Sequence, residues 1–171
     1  MTLFHKPSKK TLPGIKQAGV TMVVSLLAER EDGASIKKMC EEAGMTHVWL
    51  KHVGASEEKL LDPAALNLLR NGFIQVMKMM NSDQHKTLIH CSAGLHRTGI
   101  SGYTLLRMQG FNQLNAYKLL AKMRVKTYEG VGKWRLNLAE EYIVKWILER
   151  EGENLPPQEL PEKWEENDEV E

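Results

Sequence analysis

Short apolar runs alternate with longer amphipathic segments over most of the chain. Residues 21–27 (TMVVSLL), 47–53 (HVWLKHV) and 87–90 (TLIH) are apolar and partly β-branched, which is typical of buried strands. Strands that alternate with helices form α/β domains. We therefore predict an α/β fold with a central, mainly parallel sheet flanked by helices. In such sheets ligands bind beyond the carboxyl ends of the strands.

The segments between and after these runs have helical periodicity and recognisable ends. Residues 34–43 place apolar side chains, including Cys40, on one face and stop at Gly44, a typical C-terminal cap. Asp62 followed by Pro63 is the favoured start of a helix, and an apolar stripe continues from there to Met80. Further helices are predicted over residues 97–109, 113–124 (with Asn112 as cap) and 134–149.

Length and cysteine content restrict the class of protein. A chain of 171 residues can bury one ordinary core, and no apolar run approaches the roughly 20 residues that cross a bilayer. Two cysteines, Cys40 and Cys91, are too few for a disulfide framework, and zinc-binding spacings such as CxxC are absent. We expect a cytoplasmic protein with reduced thiols and without a membrane span.

Charge divides the chain into two unequal parts. The whole chain has a net charge of +1, but residues 151–171 carry −8, which leaves +9 on residues 1–150. We predict a folded catalytic domain over 1–150 that attracts anionic substrates, and an extended acidic tail over 151–171 that contains three prolines. Leu155, Leu160 and Trp164 are candidate anchors for the tail, which could itself imitate an anionic substrate.

The segment from His90 to Gly99 (HCSAGLHRTG) carries the strongest functional signal. A predicted strand ends beside Cys91, small residues follow, and Arg97 begins a helix. Such a loop points backbone N–H groups inward at the positive end of the helix dipole, where an anion binds. Gly94 supplies backbone freedom, and Arg97 can hold two phosphoryl oxygens at once. The backbone amides and the Arg97 guanidinium favour the thiolate form of Cys91, which would attack a bound phosphoryl group.

The string HCxxGxxRTG resembles the signature of the cysteine-dependent protein tyrosine phosphatase superfamily. HCSAG and RTG match the tyrosine-specific members, whereas Leu95 and His96 replace the usual Ile or Val and Gly. The chain is too short for that branch and has no Trp-Pro-Asp loop. It looks more like a compact dual-specificity phosphatase, with GVTMVVSL as the early strand and KTLIHCSAGLHRTG as the active-site strand and loop.

The resemblance implies a role for each position of the loop. Cys91 would be the nucleophile that takes up the phosphoryl group, and Arg97 would bind the substrate and the transition state. His90 would orient the loop, and Thr98 would hydrogen-bond the sulfur and assist breakdown of the intermediate. The cradle around the substrate would be formed by Ser92, Ala93, Gly94, Leu95 and His96. No metal or organic cofactor is implied.

The general acid is less clearly marked than the nucleophile. The family usually supplies an Asp from the loop after the strand that here covers 47–53. Asp62 is the only Asp in the corresponding segment, but it is equally well placed to cap a helix. Glu57 is the next candidate. If neither serves, substrates with leaving groups of low pKa would still be cleaved.

Three functions fit these residues. The first is hydrolysis of phosphomonoesters on phosphorylated proteins, as a protein tyrosine or dual-specificity phosphatase. The second is an RNA 5′-triphosphatase of the same superfamily, favoured by the basic domain and the missing clear acid. The third is a phosphate-binding adaptor with little turnover, which the intact Cys91, Arg97 and Thr98 disfavour.

Overall fold

A four-stranded parallel sheet forms the centre of the computed structural model, which describes residues 1–82, 84–160 and 162. The strand order is β1-β4-β2-β3, and all three neighbouring pairs are parallel. The strands are β1 (Thr2–Phe4), β2 (Met22–Ser25), β3 (Thr46–Trp49) and β4 (Thr87–His90). The predicted α/β class and parallel sheet are therefore confirmed.

Helices connect the strands and continue beyond the last one. They are α1 (Leu12–Gln17), α2 (Gly33–Glu42), α3 (Glu57–Leu61), α4 (Pro63–Ser82), α5 (His96–Met108), α6 (Gln113–Met123), α7 (Val125–Val131), α8 (Lys133–Ala139) and α9 (Lys145–Glu151). A π-helical segment, Glu140–Val144, joins α8 to α9. No helix in the described part of the chain is both long and apolar enough to cross a membrane.

The two faces of the sheet are covered by different helices, because successive strand residues point to opposite sides. On one face Val23 and Leu88 pack with α1 and α2, and Cys40 lies fully buried in this cluster. On the other face Val24 and Ile89 pack with α4 to α9 in a larger core. The sheet is thus buried on both sides, as expected for parallel strands.

The residues predicted as helix caps lie at helix ends in the structure. The Asn112 side chain accepts a hydrogen bond from the Asn115 amide at 2.9 Å and caps α6. Asp62 Oδ1 accepts one from the Ala65 amide at 2.9 Å at the start of α4. Gly44, which follows α2, has a φ of +66°.

Several elements differ from the sequence prediction. The strands predicted over 21–27 and 47–53 are shorter in the structure than predicted. In each of them only four residues form pairs with a neighbouring strand. The predicted helix 134–149 is interrupted by the π-helical segment. Among the strands and α-helices of the described residues, four short elements were not predicted: β1, α1, α3 and α7.

The described part of the acidic tail returns to the turn between α5 and α6. Leu155 packs against the larger core, and Glu159 Oε2 accepts hydrogen bonds from the Asn112 amide and Asn115 Nδ2 at 3.0 and 2.8 Å. Leu160 is 84% exposed and does not anchor the segment. Trp164 lies outside the described residues.

Candidate active site

Cys91 lies at the point where β4 ends and the loop to α5 begins. Its side chain is buried, and its Sγ accepts two hydrogen bonds of 3.2 Å, one from Thr98 Oγ1 and one from the Gly94 amide. Thr98 is in the first turn of α5 and is fully buried. Two donors directed at one sulfur stabilise a negative charge on it.

Gly94 gives the loop its shape. Its φ is +72°, and a Cβ there would lie 2.3 Å from the Phe4 carbonyl oxygen, so a larger residue would force the backbone apart. The Gly94 carbonyl accepts hydrogen bonds from Arg124 Nη1 at 2.5 Å and Thr127 Oγ1 at 2.6 Å. The Ser92 carbonyl accepts one from the Lys6 amide at 3.1 Å. The loop is therefore held by the segment after β1, by Arg124 between α6 and α7, and by α7.

Arg97, the second residue of α5, is paired with a carboxylate from another loop. Glu31 Oε2 lies 2.6 Å from Arg97 Nη1, and Glu31 Oε1 lies 2.7 Å from Nη2. The His52 carbonyl accepts a further hydrogen bond from Nη1 at 3.0 Å. These contacts fix the plane of the guanidinium beside the Cys91 loop.

Glu31 is itself held by several donors. The Ala28 amide and Ser92 Oγ donate to its carboxylate at 2.7 and 2.5 Å. The Arg97 hydrogen bonds lower the pKa of Glu31 to about 2, and the smaller contributions from Ser92 and Ala28 act in the same direction. Glu31 is thus a carboxylate throughout the neutral range and a permanent partner of Arg97.

A chain of hydrogen bonds crosses three strands below the loop. His47 Nε2 lies 2.9 Å from Ser25 Oγ, which lies 2.6 Å from His90 Nε2, and His90 Nδ1 lies 3.1 Å from the Cys91 carbonyl oxygen. A carbonyl can only accept, so Nδ1 of His90 donates and, in the neutral ring, Nε2 accepts from Ser25. Ser25 then accepts from His47. The chain fixes the orientation of His90 and of the Cys91 carbonyl.

His52 is buried beside the Arg97–Glu31 pair, and neither ring nitrogen has a hydrogen-bond partner among the described residues. Burial, with a smaller contribution from the charge of Arg97, lowers the pKa of His52 to about 4. Burial likewise lowers the pKa of His90 to about 4. Both rings are therefore neutral at neutral pH.

These buried histidines predict acid destabilisation. Unfolded histidine has a pKa of about 6.5, so between that value and 4 the unfolded chain binds more protons than the folded one. The free energy of unfolding should fall as the pH drops from 6.5 towards 4, by about 3 kcal/mol for each fully buried ring. Urea unfolding at pH 7.5, 6.5, 5.5 and 4.5 measures this. His52→Gln should make the dependence shallower, whereas His5→Gln, at an exposed position, should leave it unchanged. An unfolding midpoint that stays constant over this range would contradict the prediction.

The remaining loop residues differ in exposure. Ser92, Ala93 and His96 are exposed, and Leu95 is half-buried against Gly130 of α7. Partial burial, followed by the charges of Arg135 and Arg97, lowers the pKa of His96. His96 is thus exposed at the rim of the site, and its surroundings favour the neutral form of its ring.

The two candidate acids lie on a separate segment. Glu57 is the exposed first residue of α3, and Asp62 is exposed between α3 and α4. Asp62 has the capping contact, and no hydrogen bond among the described residues joins it to Cys91 or Arg97. Arg135 of α8 donates to the Ala55 carbonyl at 2.8 Å and so fixes the beginning of this segment.

Sequence reasoning missed Glu31, Ser25, His47, Arg124 and Thr127. Glu31 and Ser25 lie at or beyond the carboxyl end of β2, next to β4 in the sheet. The rule that ligands bind beyond these strand ends could have pointed to both. Arg124 and Thr127 carry no comparable signal, because they reach the loop only through the packing of α6 and α7.

A buried cysteine with two donors on its sulfur, below a loop that leads into a helix and beside a fixed arginine, defines a cysteine-dependent phosphatase site. A model of the tyrosine phosphatase family matches residues 4–117, and the chain belongs to this family. No curated protein matches the chain significantly.

Solved phosphatase structures have the same fold at low sequence identity. The catalytic core of the PP-IP phosphatase Siw14 from S. cerevisiae has 16% identity and a TM-score of 0.65, over 93% of this chain and 94% of that chain. PTPMT1 in complex with PI(5)P has 19% identity and a TM-score of 0.64, over 86% and 92%. Tk-PTP in its active form has 20% identity and a TM-score of 0.60, over 85% and 89%.

Proposed function

We propose that the chain hydrolyses phosphomonoesters of phosphorylated proteins through a cysteinyl-phosphate intermediate on Cys91. The Cys91 thiolate attacks phosphorus, and the P–O bond to the leaving group breaks as the leaving oxygen takes a proton from the carboxyl group of Asp62 or Glu57 or from water. Water then attacks the phosphorus, and the P–S bond breaks to release phosphate and the thiolate. The observation that carries this proposal is the pair of hydrogen bonds from Thr98 and Gly94 to Sγ.

The rim of the site supports a phosphotyrosyl substrate, with phosphoserine or phosphothreonine also accepted. Trp134 is 44% exposed, and the Arg135 guanidinium stacks on its ring at 4.1 Å. Gly130, four residues before Trp134, packs against Leu95 of the loop that follows Cys91, which brings this part of the chain to the edge of the site. An exposed ring there can contact a phosphotyrosyl ring. The four variable loop positions contain no lysine that would select a polyphosphorylated ligand.

An RNA 5′-triphosphatase is the second candidate. The specific observation in its favour is the capping contact of Asp62, which engages the expected acid in a helix start. A phosphate leaving group needs no proton at neutral pH, whereas an alkoxide does. In either case we propose a cytoplasmic enzyme, because a nucleophilic thiol persists in a reducing compartment.

The test compares three substrates in chelator and reductant: para-nitrophenyl phosphate, a phosphotyrosyl peptide and a 5′-triphosphorylated RNA. The proposal expects metal-independent turnover, with the highest kcat/KM on the peptide. Highest kcat/KM on the RNA would support the second candidate. Binding of phosphate analogues without turnover of any substrate would contradict both and identify an adaptor.

A further inference from the structure

A cavity of about 400 Å³ opens beside the active site, between the loops that follow β2 and β3. It is lined by Ala28, Glu29, Arg30, Lys51, Val53 and Lys59. Both strands lie to the same side of β4, which leads into Cys91. Since neighbouring strands are about 4.8 Å apart, the cavity lies roughly 5–10 Å to one side of the nucleophile.

Backbone groups in or next to the wall of the cavity form hydrogen bonds with the Arg97–Glu31 pair. The amide of Ala28, in its wall, donates to Glu31 at 2.7 Å. Lys51 and Val53, also in the wall, flank His52, whose carbonyl accepts from Arg97 at 3.0 Å. A substrate held by Arg97 therefore has this cavity next to it.

Two cations in the cavity have no partner of opposite charge among the residues that the structure describes. Lys51 is paired with Glu29 at 2.6 Å, but within the described part of the chain neither Arg30 nor Lys59 forms an ion pair. The Lys59 stem lies across Gly54, where an added Cβ would come within 2.5 Å of Lys59 Cδ. The absence of a side chain at Gly54 thus lets the Lys59 ammonium reach the cavity.

These features suit a single carboxylate on a short aliphatic stem. Ala28 and the 52% exposed Val53 provide apolar wall for the stem, while Arg30 and Lys59 provide charge for the carboxylate. A cluster of phosphates would instead bring several negative charges against Glu29. The cavity is therefore better matched to an acidic side chain than to a polyphosphorylated ring.

Resting on the proposed function, we infer that this cavity binds an Asp or Glu side chain of the phosphoprotein substrate. An extended peptide advances about 3.3 Å per residue, so the acidic residue lies within about three residues of the phosphorylated one. Arg30 and Lys59 are then specificity-determining residues for phosphorylation sites with acidic neighbours.

The experiment measures binding and turnover of matched phosphotyrosyl peptides. One peptide has neutral neighbours, and the others carry a single Glu at each position from three before to three after the phosphotyrosine. Dissociation constants are measured on Cys91→Ser protein and kcat/KM on the active enzyme. Each measurement is repeated with Arg30→Gln/Lys59→Gln and with the control Lys118→Gln/Lys122→Gln, which removes two exposed charges from α6.

We expect the best Glu position to improve binding and kcat/KM roughly three- to tenfold over the neutral peptide. This ratio should fall to about one in Arg30→Gln/Lys59→Gln and persist in the control. An unchanged ratio in the Arg30/Lys59 variant would overturn the inference. Inhibition of para-nitrophenyl phosphate hydrolysis by inositol hexakisphosphate is measured on the same proteins. Loss of this inhibition in Arg30→Gln/Lys59→Gln, without a change in the peptide ratio, would also overturn the inference and make a polyphosphate the occupant. Failure of the unsubstituted enzyme to hydrolyse para-nitrophenyl phosphate would instead refute the proposed function, while the dissociation constants still test the cavity.

Discussion

Exchange of Cys91 for serine should lower the release of phosphate from para-nitrophenyl phosphate by at least about a thousandfold. Thr98 Oγ1 and the Gly94 amide both donate to Sγ, and this arrangement stabilises a sulfur anion. A serine hydroxyl at the same place would remain protonated at neutral pH and would be a weak nucleophile. Because the substitution nearly preserves volume, the loop should still bind phosphate analogues.

The matched control is the other cysteine. Cys40 is fully buried on the opposite face of the sheet, and burial raises the pKa of its thiol to about 11. Cys40→Ala should therefore keep activity close to that of the unsubstituted enzyme once the folded fraction is measured by circular dichroism. Substantial turnover by Cys91→Ser, or loss of turnover in Cys40→Ala that is not explained by unfolding, would contradict the assignment of the nucleophile.

The sheet and the loop could be predicted from the sequence because their signals are local. β2 and β4 are apolar runs that are buried on both faces, β3 is a partly buried strand at the edge of the sheet, and β4 was predicted at its observed bounds. Gly94 and Arg97 stand at fixed offsets from Cys91, so one motif describes a contiguous structure. Caps such as Asn112 are equally local, since the side chain bonds an amide three residues later.

The missed elements depend on tertiary contacts instead. β1 has only three residues and forms the edge of the sheet by pairing with β4. α1 contains Pro13 and Gly14, and α7 contains β-branched Val125 and Thr127, so local propensity predicts neither helix. Both helices are stabilised by the surfaces on which they pack.

Glu31 shows the same limitation within the site. It stands 66 positions before Arg97, and its own neighbours form only a short 3-10 turn, Glu29–Glu31. In the sequence it is one acidic residue among several. Only the order of the strands, which puts β2 beside β4, brings its carboxylate to Arg97.

The Arg97–Glu31 pair leads to the second large expected effect, a loss of about a hundred- to a thousandfold in kcat/KM for Arg97→Lys. A guanidinium has five N–H donors. The two N–H donors on Nη1 bind Glu31 and the His52 carbonyl, and one of the two donors on Nη2 binds Glu31. Within the described part of the chain, the Nε–H and the second Nη2–H have no oxygen partner, and these two donors form the edge of the guanidinium beside Cys91.

That remaining edge is the part of Arg97 that can bind two phosphoryl oxygens, while the opposite edge stays fixed to the protein. A lysine ammonium is a single point and cannot hold Glu31 and two phosphoryl oxygens in these directions, although its charge is the same. Steady-state kinetics on para-nitrophenyl phosphate between pH 5 and 8 measures the loss. The loss should be nearly constant from pH 6 to 8, because Glu31 is ionised there both beside Arg97, where its pKa is about 2, and at its ordinary value of 4.5 once Arg97 is replaced. Activity of Arg97→Lys within threefold of the unsubstituted enzyme would show that charge alone suffices and that the shared guanidinium is not required.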